Sequence, residues 1–281
     1  LLQAIVRNNF IKAKVNTRDT EITKIGIIVI QSLRKKDRKT GEELRNDLLQ
    51  YKKYTQKDTF EELYNLTTIT EFKDTLKAIG KSMSKGVIFS LHFETHGSEE
   101  GIHLASGECL KWKEFYKLIR PINIKMGHLL IIVMAMCKGA ALISSLEPKK
   151  RAPYLAFIGA FRNLTQDEIV RGFYAFYTNY TNALDIKKGM EAITLEIDGK
   201  NPKKKTFWCY SSEYVFDEVL DPDLNPQKLK EMAKEESIKR LVEYGETNHT
   251  LESVELEMRA LLEDTSKKYR DNYCFKDFFE K

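Results

Sequence analysis

Residues 24–30 read KIGIIVI, and unbroken apolar runs of the same kind recur at 87–91 (VIFSL), 129–136 (LLIIVMAM) and 154–158 (YLAFI). Uniform runs of this length predict strands buried on both faces rather than strands with one wet face. Between them the period changes to that of a helix. Ile69, Phe72, Leu76, Ile79 and Met83 share one helical face, and Thr68 with Glu71 makes a capping box at its start. Trp112, Phe115, Tyr116 and Ile119 mark a second amphipathic helix, which Pro121 is expected to stop. Thr165 and Glu168 cap a third helix carrying Ile169, Phe173, Phe176, Tyr177 and Tyr180. Residues 183–197 predict a further helix, 102–105 a short strand and 206–210 (TFWCY) a late one. The polar stretch 34–59 is expected to form a long loop with a short helix.

Strands alternating with helices predict an α/β fold, a mostly parallel sheet covered by helices on both faces. After Asp221 the pattern changes, with Pro222 and Pro226 followed by two charged helices near 227–244 and 251–264. The expected organisation is an N-terminal arm over 1–21, an α/β domain over 22–215 and a helical C-terminal extension over 216–281. No internal repeat is present.

Composition removes several classes. The longest apolar run is far too short to span a bilayer, and the opening LLQAIVRNNF lacks the ordered regions of a secretory signal. The chain starts at Leu rather than Met, which leaves an N-terminal regulatory segment open. A net charge of +5 spread through interleaved charges is too small an argument for nucleic acid. The basic runs Arg34–Lys35–Lys36 and Lys203–Lys204–Lys205 read as solvated loops. Four scattered cysteines, Cys109, Cys137, Cys209 and Cys274, form no C-x-x-C pair. A reduced, cytoplasmic setting is the expectation.

The chemistry gathers at two strand ends. Reactive groups of an open parallel sheet belong just beyond the carboxyl ends of its strands. VIFSL runs into His92-Phe93-Glu94-Thr95-His96-Gly97, and LLIIVMAM runs into Cys137-Lys138-Gly139-Ala140. If the strands are neighbours, an imidazole and a thiol meet on one rim, as a thiol nucleophile and its base require. Backbone N–H groups of Gly97 and Cys137 are candidate oxyanion donors.

A strand ending in His-Gly, followed about forty residues later by a strand ending in Cys-x-Gly, resembles the caspase-like cysteine peptidases. The later Gly159-Ala160, Asp167-Glu168, Phe173-Tyr174 and Phe176-Tyr177 resemble the bacterial CHAT branch in particular. The resemblance spans roughly residues 22–210. It implies a three-layer caspase-like fold and peptide-bond hydrolysis, without metal or organic cofactor, by a dyad of His96 as base and Cys137 as nucleophile. It also implies a protein substrate, an activating protein partner, and a switched role of the kind such enzymes play in bacterial defence or cell death.

The position two residues before the thiol is Ala135, where the family's Asp-cleaving members have Gln and its Arg/Lys-cleaving members often have Asp. Arg34, Arg38 and Arg162 would line a basic substrate pocket, and Asp167 or Glu168 an acidic one; both remain open. Glu94 and Glu99 flank His96 and are candidates to orient its ring. Lys138 is a candidate to lower the thiol pKa. His92, His103, His128 and His249 and the other cysteines read as structural or surface residues. The alternative function is an inactive caspase-like adaptor that binds a partner through its helical tail.

Overall fold

The computed structural model describes residues 22–55, 58–183, 185–201, 204–220, 226–244 and 250–276. The expected N-terminal arm, Lys203, Pro222 and His249 lie outside them. The uniform apolar runs become the middle of a sheet. β1 (Lys24–Ser32), β3 (Val87–Gly97), β6 (Ile131–Ala135) and β7 (Ala156–Ala160) lie side by side and parallel. β2 (Thr59–Asn65) flanks β1, and β8 (Phe207–Ser211) flanks β7 and runs antiparallel to it. Two three-residue strands, β4 (Gly101–His103) and β5 (Cys109–Lys111), extend β3 as a small antiparallel ribbon.

Because side chains alternate along a strand, each central strand feeds two cores. Ile28, Ile30, Phe89, Leu91, Phe93, Ile132, Met134 and Phe157 point to one face. That face is covered by α2 (Ile69–Ser82) and α3 (Trp112–Lys125), through Phe72, Leu76, Phe115 and Tyr116. Ile27, Val29, Ile131, Val133, Ala135 and Ile158 point to the other. Its cover is α1, which runs from Thr40 to Thr55 with a π-helical middle turn, and the pair α4 (Gln166–Ala183) and α5 (Ile186–Asp198). Three layers result, as the apolar runs require.

Both expected capping boxes form. Thr68 Oγ1 accepts from Glu71 N–H while Glu71 accepts at the cap, and Thr165 and Glu168 exchange the same bonds at 3.2 and 2.9 Å. Several expectations need correction. Pro121 sits inside α3 and does not stop it. The carbonyl it leaves without a donor belongs to exposed Lys117, where water can serve, while Ile119 and Ile122 stay buried and hold the helix together. Polar β2 (TFEELYN) lies just past the expected loop, where the pattern predicts no element, because a sheet-edge strand needs no uniform apolar run. The short helix expected before it is the full α1. β3 continues six residues past the expected end at Leu91, and that extension carries the histidines.

After β8 the chain forms a short helix, α6 (Ser212–Val215), a π turn (Phe216–Leu220), and two long helices, α7 (Pro226–Tyr244) and α8 (Leu251–Tyr273). The far end of α8 returns to the sheet domain. Tyr273 and Phe275 are buried with Ala152 and Phe216, Phe275 stacks on His128 at 4.4 Å, and Arg270 makes a two-point ion pair with Asp217. Among the described residues no helix is long and apolar enough to cross a membrane.

Candidate active site

Strand register explains the spacing of the two reactive residues. β3 pairs with β6 from Ser90–Ile131 to Glu94–Ala135, a constant offset of 41 positions, and the same 41 separate His96 from Cys137. Parallel neighbours therefore deliver both residues level with one another at the carboxyl rim of the sheet. The contact is close: a Cβ on Gly97 would collide with the Cys137 carbonyl oxygen and come within 2.8 Å of the Met136 side chain. Only glycine lets the two turns approach this far.

The backbone N–H of Gly97 faces the same way. Ser98 N–H donates to Gly101 O at 3.0 Å, so Ser98–Gly101 is a hydrogen-bonded pair of the β3–β4 ribbon. Gly97, opposite Ile102, then occupies a non-bonded position, and its N–H points away from β4 towards the β6 side.

His96 is held by a carboxylate from a third strand end. Its Nε2 lies 2.8 Å from Asp37 Oδ2, in the loop after β1. An ionised carboxylate only accepts, so Nε2 carries a proton, which in the neutral ring leaves the lone pair on Nδ1. Arg34 N–H donates to the same Asp37 oxygen at 2.8 Å. The His96 hydrogen bond, helped by this N–H against the cost of burial, holds the Asp37 carboxyl below its usual pKa.

Cys137 stands at the turn leaving β6, half-buried, and Lys138 follows in the left-handed region with φ of 52°. The thiol is covered by the loop that follows β7. Leu164 N–H donates to Sγ at 3.3 Å, Sγ lies 3.6 Å from Leu164 O, and Lys138 N–H donates to Arg162 O at 3.0 Å. In this state the hydrogen bonds of the thiol are made with Leu164 and that of the His96 ring with Asp37.

The expected orienting glutamates serve elsewhere. Glu94 is buried, accepting from Thr40 Oγ1 at 2.6 Å and lying 2.8 Å from His92 Nε2. His92 Nδ1 in turn meets Tyr177 OH at 3.1 Å, so this chain of polar groups is satisfied inside the core beneath the rim. Glu99 pairs with Lys138 Nζ at 2.8 Å, which commits that ammonium away from the thiol. His103 bonds Ser98 Oγ, and His128 bonds Ser212 Oγ inside the core.

The candidate pocket residues neutralise one another. Arg162 makes a two-point pair with Glu168 and also reaches Thr206 Oγ1. Asp167 pairs with Arg171 and approaches Arg38 at 3.8 Å. Arg34 lies exposed on the loop of Asp37. Arg162, foremost, pulls the Glu168 carboxyl down to about 2, with the Thr165 N–H adding to the effect. Burial pushes the Cys209 thiol up to about 12, as expected of a structural cysteine. Lys205, from the second basic run, lies over the Trp208 ring at 4.1 Å. Among the described residues no group of three or more His, Cys, Asp or Glu side chains is placed to hold a metal ion.

Two residues at the site escape the pattern argument, Asp37 and Leu164. Asp37 had one legible signal: it lies just past the end of β1, the strand that pairs with β3 on the side opposite β6.

A sheet in the order β2-β1-β3-β6-β7-β8, antiparallel only at its β8 end and sandwiched by helices, is a caspase-like α/β fold. Among solved structures, the Drosophila initiator caspase Dronc matches with a TM-score of 0.51 at 11% identity, over 69% of this chain and 82% of that one. At such identity the likeness is one of fold. No protein-family model and no curated protein sequence matches the chain.

Proposed function

We propose that this chain is a cysteine endopeptidase that cleaves a protein substrate through Cys137 and His96. The observation that carries the reading is the shared 41-residue offset, which sets imidazole and thiol level on adjacent strands. His96 Nδ1 takes the thiol proton while Nε2–H stays on Asp37, whose charge stabilises the imidazolium. The thiolate attacks the scissile carbonyl, and the N–H groups of Gly97 and Cys137 receive the developing oxyanion. His96 then protonates the leaving amine, and water hydrolyses the thioester to release the acid and free thiol.

Leu164 must leave the thiol before attack, so the described state is a resting one. Displacement of the loop by substrate or by a regulatory protein is the activating step, consistent with a switched effector of the CHAT type in bacterial defence or cell death. The working domain is 22–215. Arg34, Arg162, Asp167 and Glu168 flank the rim from which the substrate enters.

The test is cleavage of a peptide library by the wild-type chain, Cys137→Ala and His96→Ala. Cleavage lost in both variants supports the dyad. If Glu168→Gln, which frees the loop over the thiol, also cleaves nothing and leaves Cys137 no more reactive towards iodoacetamide than a free thiol, the peptidase reading fails and an adaptor is favoured.

A further inference from the structure

A second concavity opens beside the thiol turn, on the opposite face of the sheet from Leu164. It measures about 690 Å³, more than a single side chain fills. Ala140 and Ala141, directly after Cys137-Lys138-Gly139, line it together with the aromatic side chains of Phe161, Tyr210 and Tyr214. The aromatic lining is ordered: Tyr210 stacks on Tyr214 at 5.1 Å and 5°, and Phe161 meets Tyr210 edge-on at 6.4 Å. Phe161 and Val219 at its mouth are each 49% exposed, so this surface is not covered by the fold.

Its charge is of one sign. Among the described residues, Glu99 and Glu218 are the only Asp, Glu, Lys or Arg side chains that line it. Glu99 is already neutralised by Lys138, whereas Glu218 carries no ion pair or hydrogen bond among the described residues. Aromatic walls with a free carboxylate at the rim suit a side chain with an aliphatic stem and a cationic head. An acidic residue would meet like charge there, and a purely apolar one would leave the carboxylate unused.

We infer that this cleft is a substrate subsite that takes an arginine or lysine close to the scissile bond. The inference rests on the peptidase reading for its substrate but not for its test. Decapeptides carrying Arg, Gln or Glu at one position, randomised elsewhere and labelled with fluorescein, are titrated by anisotropy into the full Cys137→Ala chain. At one position the Arg set should bind about 10-fold tighter than the Gln set, with Glu weakest. Adding Glu218→Lys, a change on an exposed turn, should erase that preference. The same position should prefer Arg when the wild-type chain cleaves the library.

Equal binding of the three sets, or an Arg preference that survives Glu218→Lys, would overturn the subsite. Cleavage without any basic preference would overturn it too, and would leave the peptidase standing. Arg-selective binding with no cleavage by wild type would support the cleft and count against the catalytic reading.

Discussion

His96 and Asp37 are joined by a 2.8 Å hydrogen bond between Nε2 and Oδ2, although 59 positions separate them in the chain. The bond ties together the ends of β1 and β3, and it sets a proton on the ring nitrogen that meets Asp37. A base that depends on a carboxylate for its tautomer behaves differently from one that stands alone.

Asp37→Asn keeps the shape of the side chain but can present an N–H to the ring, inverting the tautomer. The expected result is a fall in kcat on the order of 10- to 100-fold with little change in KM, because Asp37 acts through the His96 ring it holds. Steady-state kinetics beside a thermal melt checks it. An unchanged kcat would mean that the ring needs no carboxylate.

Gly97→Ala tests the closeness of the two turns. The new methyl collides with a backbone carbonyl rather than a flexible side-chain tip, so one strand end must move. A displacement near 1 Å at reacting groups costs about 100-fold in rate. Activity should collapse while the core of the sheet, and so the cooperative melt, survives. Wild-type kcat in this variant would show that the approach of Gly97 to Cys137 is not required.

The meeting of the two strand ends was legible in the sequence: uniform apolar runs pointed to central strands, and strand ends of a parallel sheet collect on one rim, which sets His96 and Cys137 there together. The edge strand β2 was not legible, because it carries no uniform run and its pairing is decided by β1 beside it. Asp37 was hidden for a related reason. A loop residue acquires its partner from the way two strands are registered, and RKKDRK, although Asp37 is its one acid, does not say which strand end that acid will meet. Glu94 misled because alternation sets it on one face with both His92 and His96, and its burial beneath α1 gives it to His92 and Thr40 rather than to the ring at the rim.

Glu94→Ala probes that inward pair. Removing the carboxylate leaves the His92 ring and Thr40 hydroxyl buried without their partner, a loss of roughly 3 kcal/mol for breaking a buried polar pair. Replacing His92 and Glu94 together by leucine should recover part of it, since the penalty comes from the orphaned partner. Urea midpoints of the single and double variants decide this. A double variant less stable than the sum of its parts would show that the pair stabilises the fold outright.

Glu168 makes stability depend on pH. It caps α4 and holds Arg162 at the base of the loop over the thiol, and its carboxyl falls to about 2 in the folded chain from an ordinary 4.5. A pKa lowered by folding means that the unfolded chain binds the extra proton over this interval, so stability rises with pH across it. The contribution is complete above about 4.5 and disappears as pH falls towards 2. Glu168→Gln never has it. Urea midpoints of wild type and Glu168→Gln should therefore differ most at pH 6 and converge between pH 4.5 and 3, where other titrating groups act equally on both proteins. The loosened loop should also expose Cys137, so iodoacetamide should modify the variant faster at neutral pH. A midpoint difference that stays constant with pH would exclude Glu168 as the titrating latch, and unchanged alkylation would separate that latch from the loop covering the thiol.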